Sequence, residues 1–108
     1  MKKIFERAEK LGYKTILMDI KYLDFLGITH NEYKSELFLL DEWFRDKYEI
    51  YITIEPFIKG ELIFGSTVWY HDLTDDEIHD YDVTFDNWWD AYLDGINFSL
   101  LILEKKNE

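Results

Sequence analysis

The chain has 108 residues and a formal net charge of −11, and its apolar residues, 47% of the total with aromatics alone at 19%, suffice for one compact core. Global disorder is thereby excluded. The absence of Cys excludes disulfide frameworks, thiolate metal sites and cysteine nucleophiles.

The opening Met1-Lys2-Lys3 has the basic start of a secretory leader, but Glu6, Arg7, Glu9 and Lys10 break the apolar run that should follow. No window approaches the roughly 18 apolar residues of a membrane helix. The expectation is a cytoplasmic protein. Residues Lys2 to Leu11 read as a short amphipathic helix with Ile4, Phe5, Ala8 and Leu11 on one face and Gly12 as its stop. Tyr13 to Ile28 reads both ways. Thr15 to Met18 suits a strand, whereas Ile16, Ile20, Leu23 and Gly27 suit a helix, and we read helix over the later half.

Thr29-His30-Asn31-Glu32 fits a capping box. Behind it Tyr33, Leu37, Leu40, Phe44 and Tyr48 recur at steps of four and three, which predicts a helix ending near Lys47. Asp41 and Arg45 are spaced for an i,i+4 pair on its surface. The period then becomes two: Ile50, Ile52 and Ile54 alternate with Tyr51, Thr53 and Glu55, a half-buried strand. Pro56 ends that strand or sets it at a sheet edge. Ile58 to Glu61 connects it to a second strand, Leu62 to His71, with Gly65 as a bulge or bend. Thr74 to Glu77 matches a capping box and suggests one helical turn, followed by a short third strand from Tyr81 to Phe85. A last helix, capped by Thr84 or Asp86, carries Trp89, Tyr92, Leu93, Ile96, Leu100 and Leu103 on one face. Gly95 within it suggests close packing against another backbone. Phe98, Leu101 and Ile102 add apolar surface off that stripe, which implies deep burial or a homodimer contact through this helix. The expected fold is a single α+β domain of two layers, with N-terminal helices, a two- to three-stranded antiparallel sheet and a long C-terminal helix.

The segments Glu42-Trp43-Phe44-Arg45-Asp46-Lys47-Tyr48 and Phe85-Asp86-Asn87-Trp88-Trp89, with the Ile-rich strand between them, resemble a group of small uncharacterised proteins carried by phages and mobile elements, often in Bacteroidetes. In that group a WFR-[DE]-K-[YH] helix end precedes the strands and an aliphatic helix closes the chain. The likeness spans Lys34 to Lys106 and is a packing pattern, so it implies a phage or prophage setting and carries over no functional residue. The last helix departs from the pattern: it is rich in Trp and Asp where the group is rich in Ala and Glu.

Charge is where function shows. From Gly60 to Glu104 there is no Lys or Arg, and the acids there are Glu61, Asp72, Asp75, Asp76, Glu77, Asp80, Asp82, Asp86, Asp90, Asp94 and Glu104. The remaining residues hold equal numbers of acids and bases, so this one stretch carries the whole net charge. It repels nucleic acid and anionic membranes and attracts basic proteins. Asp86, Asp90 and Asp94 follow one another at helical spacing, with Asp80 and Asp82 just ahead, and such a row resembles a run of phosphates. Trp88, off the core stripe and beside these acids, suits an interface anchor. The candidate binding residues are therefore Asp80, Asp82, Asp86, Trp88, Asp90 and Asp94. They point to a non-enzymatic inhibitor of a nucleic-acid-binding or defence protein. The plain alternative is a structural or oligomerising module whose acids only keep it soluble.

No enzyme signature competes. His71-Asp72 and His79-Asp80 offer metal-ligand types, but not the spread over long helices of an HD phosphohydrolase; a metal-dependent hydrolase built on these four residues is the third reading, behind the two above. Asp80, Asp82, Thr84 and Asp86 open like an EF-hand loop, yet Phe85 stands where Gly is needed and Ala91 where Glu is needed. Ser35, Ser66 and Ser99 lie in no nucleophile elbow, and no glycine-rich phosphate loop occurs. Neither cofactor nor metal is expected.

Overall fold

A computed structural model describes residues 2–15, 30–71, 76–80 and 84–106, with the backbone alone at 2, 30–33, 71 and 76–80. The first helix, α1, runs Lys2–Lys10. Gly12 stops it with φ of 105°, a left-handed turn that costs glycine little. Around that turn the Gly12 amide donates to the Glu9 carbonyl and the Tyr13 amide to that of Ala8, both at 3.1 Å, the paired bonds of a Schellman ending. The second helix, α2, spans His30–Tyr48. Its periodic Leu37, Leu40 and Phe44 are fully buried. The proposed cap at Thr29 and the ambiguous stretch 16–28 lie outside the described residues.

Next come strands β1, Tyr51–Lys59, β2, Glu61–His71, and β3, Asp76–Asp80, in one antiparallel sheet ordered β1-β2-β3. The β1–β2 register is unbroken from Tyr51↔Trp69 to Lys59↔Glu61, so Gly60 alone turns the chain, at φ of 76°. Of the two outcomes expected for Pro56 the second holds: it does not end its strand, and it is tolerated because β1 lies at the sheet edge. One expectation is corrected here. Gly65 makes no bulge: it sits opposite Glu55 in regular pairing, and a Cβ there would press on Phe57 Cε2 at 3.2 Å. The alternation of burial in β1 ends at Ile54, and the far half of the hairpin leaves Phe57, Ile58 and Leu62 exposed, Ile58 to 84%.

The expected helical turn at Thr74–Glu77 is also corrected. Asp76 and Glu77 open β3, whose ladder sets His71 beside Asp76 and His79 beside Val68. Thr74 and Asp75 lie outside the described residues, as do 81–83 of the expected third strand. Its last residue, Phe85, forms a single antiparallel bridge to Phe64.

The closing helix, α3, runs Trp88–Lys106 and lies on β1 and β2, with α1 packed against it. Its buried positions pair small with large: Ala91, Gly95 and Ser99 beside Tyr92, Ile96, Leu100 and Leu103. The expected backbone contact at Gly95 is instead a side-chain contact, since an added Cβ would stand 2.6 Å from Ile52 Cγ2. Of the off-stripe apolar residues, Ile102 is buried, Phe98 half-buried and Leu101 exposed. Arg7 of α1 clamps the far end of α3 by donating to both Glu104 carboxylate oxygens and to Asn97 Oδ1. No helix among the described residues is long and apolar enough to cross a membrane.

Candidate functional site

The start of α3 is fixed from the sequence outward. The bridge between Phe64 and Phe85, two backbone bonds of 2.8 Å, delivers the chain to Asn87. Asn87, not Thr84 or Asp86, is the cap. Its Oδ1 accepts from the Asp90 amide at 2.9 Å while its Nδ2 donates to Asp90 Oδ2 at 2.8 Å, so cap and third helical residue serve each other. The two tryptophans are thereby held in the first turn. Trp88 stacks on Tyr92 one turn later, with centroids 4.7 Å apart and planes 22° apart. Trp89 stands edge-on to Trp88 at 4.9 Å.

A stripe of α2 completes this cluster. Lys34, Phe38, Asp41 and Arg45 follow one another at steps of four, three and four, which sets them on one helix face. The Phe38 ring lies 5.5 Å from Trp89 and 5.6 Å from Tyr92, yet Phe38 remains 48% exposed. Lys34 Nζ sits 4.4 Å above the Trp89 ring. Under the rings, the Tyr92 hydroxyl donates to Asp41 Oδ2 at 2.7 Å, and Arg45 Nη1 donates to the same oxygen at 3.1 Å.

Asp41 corrects a sequence expectation. The pair with Arg45 forms, but Asp41 is only 6% exposed rather than on the surface. Its Oδ1 is buried with no hydrogen-bond partner among the described residues. Burial raises this carboxyl above its usual range, against the opposing pull of the Tyr92 bond and the Arg45 charge. The Tyr92 hydroxyl is pushed up by burial and then by Asp41, so it stays a phenol that donates. The counterpart on the other flank of α2 is Glu36, fully buried, which accepts from the Tyr13 hydroxyl at 3.0 Å. Neither buried acid stood out in the sequence. The one available signal was the 34-38-41-45 spacing, which sets two cations, an aromatic ring and a carboxylate on one stripe.

The predicted acids do not form a uniform row. Asp86 precedes α3 and is exposed, and Asp90 is exposed while joined to its cap. Asp94 turns to the sheet and accepts from Ser66 Oγ at 3.3 Å, half-buried, its carboxyl raised by that burial. Asp80 belongs to β3, opposite Thr67; its side chain, and Asp82 altogether, lie outside the described residues. Glu61 is exposed at the hairpin turn, and Glu104, at the other end of α3, is paired with Arg7. Trp88 is half-buried within the ring cluster rather than standing free. What the structure brings together is narrower than the sequence implied: Asp86, Asp90, Trp88 and Trp89 from the α3 start, with Lys34 and Phe38 from α2.

A separate cavity of about 500 Å³ lies between the end of α1 and α2, lined by Gly12, Tyr13, Lys14, Leu39, Glu42, Trp43 and Asp46. Its charged lining residues, of both signs, are exposed. Among the described residues no group of three or more His, Asp or Glu is arranged to hold a metal ion. No known protein family, curated protein or solved structure matches this chain.

Proposed function

We propose that this protein is a non-enzymatic binding module for a basic protein partner, and that it engages the partner at the α2–α3 junction. One observation carries the reading. An aromatic cluster with a half-exposed Phe38 is bordered by two exposed carboxylates, Asp86 and Asp90, within the stretch from Gly60 to Glu104 that holds no Lys or Arg. Apolar rings in the centre and charge at the rim are the usual composition of an interface anchor. An inhibitor of a nucleic-acid-binding or defence protein is the form of this reading in which the partner's cationic surface normally meets phosphate. The support is the aromatic patch with its two acids rather than a phosphate-like ladder, because Asp94 faces the sheet.

The test is binding of a cationic model protein to the wild type and to Asp86→Asn/Asp90→Asn, each at low and high ionic strength. Binding that weakens with salt and with the double substitution is expected. Binding indifferent to both would refute the assignment.

The outer face of the sheet favours a second reading. Tyr51 and Trp69 stand directly opposite each other and exposed, with Trp69 Nε1 donating to Thr53 Oγ1 at 3.1 Å, and Phe57 is exposed further along. A structural or oligomerising module would cover such a face. Sedimentation over a range of concentrations, for the wild type and Trp69→Thr, distinguishes the two.

A further inference from the structure

We propose that the face of Trp89 taken by Lys34 is the seat of a lysine side chain from the basic partner, with Lys34 acting as its internal stand-in. The inference rests on the proposed reading of the α2–α3 junction and specifies the chemistry recognised there. An indole offers the most favourable ring face for a cation, and the Lys34 ammonium at 4.4 Å already demonstrates that this face accepts an alkylammonium group. Among the described side chains Lys34 forms no ion pair, so the ring is its only cation-stabilising contact there. A cation–ring contact at an accessible site is weak enough to exchange for an equivalent one arriving from outside.

The surroundings favour a cation over a neutral group. Phe38, half-exposed beside Trp89, can pack along the methylene chain of an incoming lysine. Asp86 and Asp90 flank the rings from the start of α3. Lys34 sits one turn ahead of Phe38, so its side chain can leave the ring by rotating into solvent without disturbing the helix backbone.

The experiment titrates penta-lysine into the full chain at low salt and follows the Trp89 indole N–H signal by NMR. Wild type, Lys34→Met, Lys34→Arg and Lys3→Met are compared. Lys3 is exposed on α1, and its variant carries the same net charge as Lys34→Met. Lys34→Met should bind penta-lysine about two- to five-fold tighter than Lys3→Met, the range expected for one exposed cation–ring contact. Lys34→Arg keeps the ring occupied and should match the wild type. The Trp89 signal should move in every variant that binds. If the wild type binds in a salt-sensitive way but Lys34→Met equals Lys3→Met and the Trp89 signal is still, the seat is refuted and the basic-partner reading stands. If no variant binds penta-lysine at all, both fall. A concentration-dependent dimer of Lys34→Met without peptide would also overturn the proposal, since a second copy would then be the occupant.

Discussion

Gly95 lies where α3 meets Ile52 of the sheet, and its replacement by Ala sets two effects against each other. Ala is favoured over Gly inside a helix by about 1 kcal/mol. Against this, the new Cβ would stand 2.6 Å from Ile52 Cγ2, far inside contact distance. Ile52 is β-branched and paired to Val68 in the ladder, so neither its χ1 nor its backbone yields freely. Overpacking of this kind costs on the order of 1–3 kcal/mol. With about 2 kcal/mol of steric cost and about 1 kcal/mol of helix gain, Gly95→Ala should destabilise by about 1 kcal/mol. For a chain of this size that is a fall in Tm of about 4 °C. Ile52→Ala removes the opposing methyl, so in that background Gly95→Ala should change sign and stabilise by about 1 kcal/mol. Thermal and urea unfolding of the four proteins completes the cycle. A wild-type background in which Gly95→Ala raises Tm, or two backgrounds with equal effects, would refute the close-packing argument.

Three further outcomes are expected. The raised carboxyl of Asp41 contributes stability that is present below its unfolded value of 3.8 and lost as pH rises through the folded value. Asp41→Asn keeps an acceptor for Tyr92 and Arg45 without the charge, so wild-type stability relative to this variant should fall between acid and neutral pH by urea titration; a rise would contradict the burial argument. Glu104 behaves in the opposite sense, because the Arg7 hydrogen bond lowers its carboxyl below 4.5. Its contribution, at most about 1 kcal/mol for so accessible a pair, is present at neutral pH and should vanish under acid when the wild type is compared with Glu104→Gln. Glu49 ends α2 at φ of 55°, a conformation that costs a non-glycine residue about 1 kcal/mol. Glu49→Gly should therefore raise stability by about 0.5 kcal/mol once the looser unfolded chain is counted, and a drop in Tm would show that its side-chain contacts outweigh the strain.

Where the sequence carries a regular period, the fold is readable in it. Leu37, Leu40 and Phe44 announce α2, Ile50, Ile52 and Ile54 announce β1, and the Trp89-to-Leu103 stripe announces α3. β3 was hidden because Asp-Glu-Ile-His-Asp offers a single apolar residue and no alternation, while Thr74 to Glu77 mimics a helix start. What selects the strand is pairing with β2, a contact no local pattern encodes. The site was half legible. Trp88 and its neighbouring acids stood out by type, but the partner stripe on α2 did not. Asp41 and Arg45 look like any surface pair until Tyr92, 51 residues later, places its hydroxyl against the carboxylate. Asp94 misled in the converse way, since helical spacing counts it with Asp86 and Asp90 and only Ser66 on the sheet shows that it faces inward.

The clamp between Arg7 and Glu104 has a consequence for the order in which the core can close. Its two ends are 97 residues apart in the chain, and α1 rests on α3. Contacts of such long separation carry a large loop-closure cost and are rewarded only after the intervening elements have collapsed. Docking of α1 on α3 is therefore expected late in folding, after the β1–β2 hairpin, whose turn is the single residue Gly60.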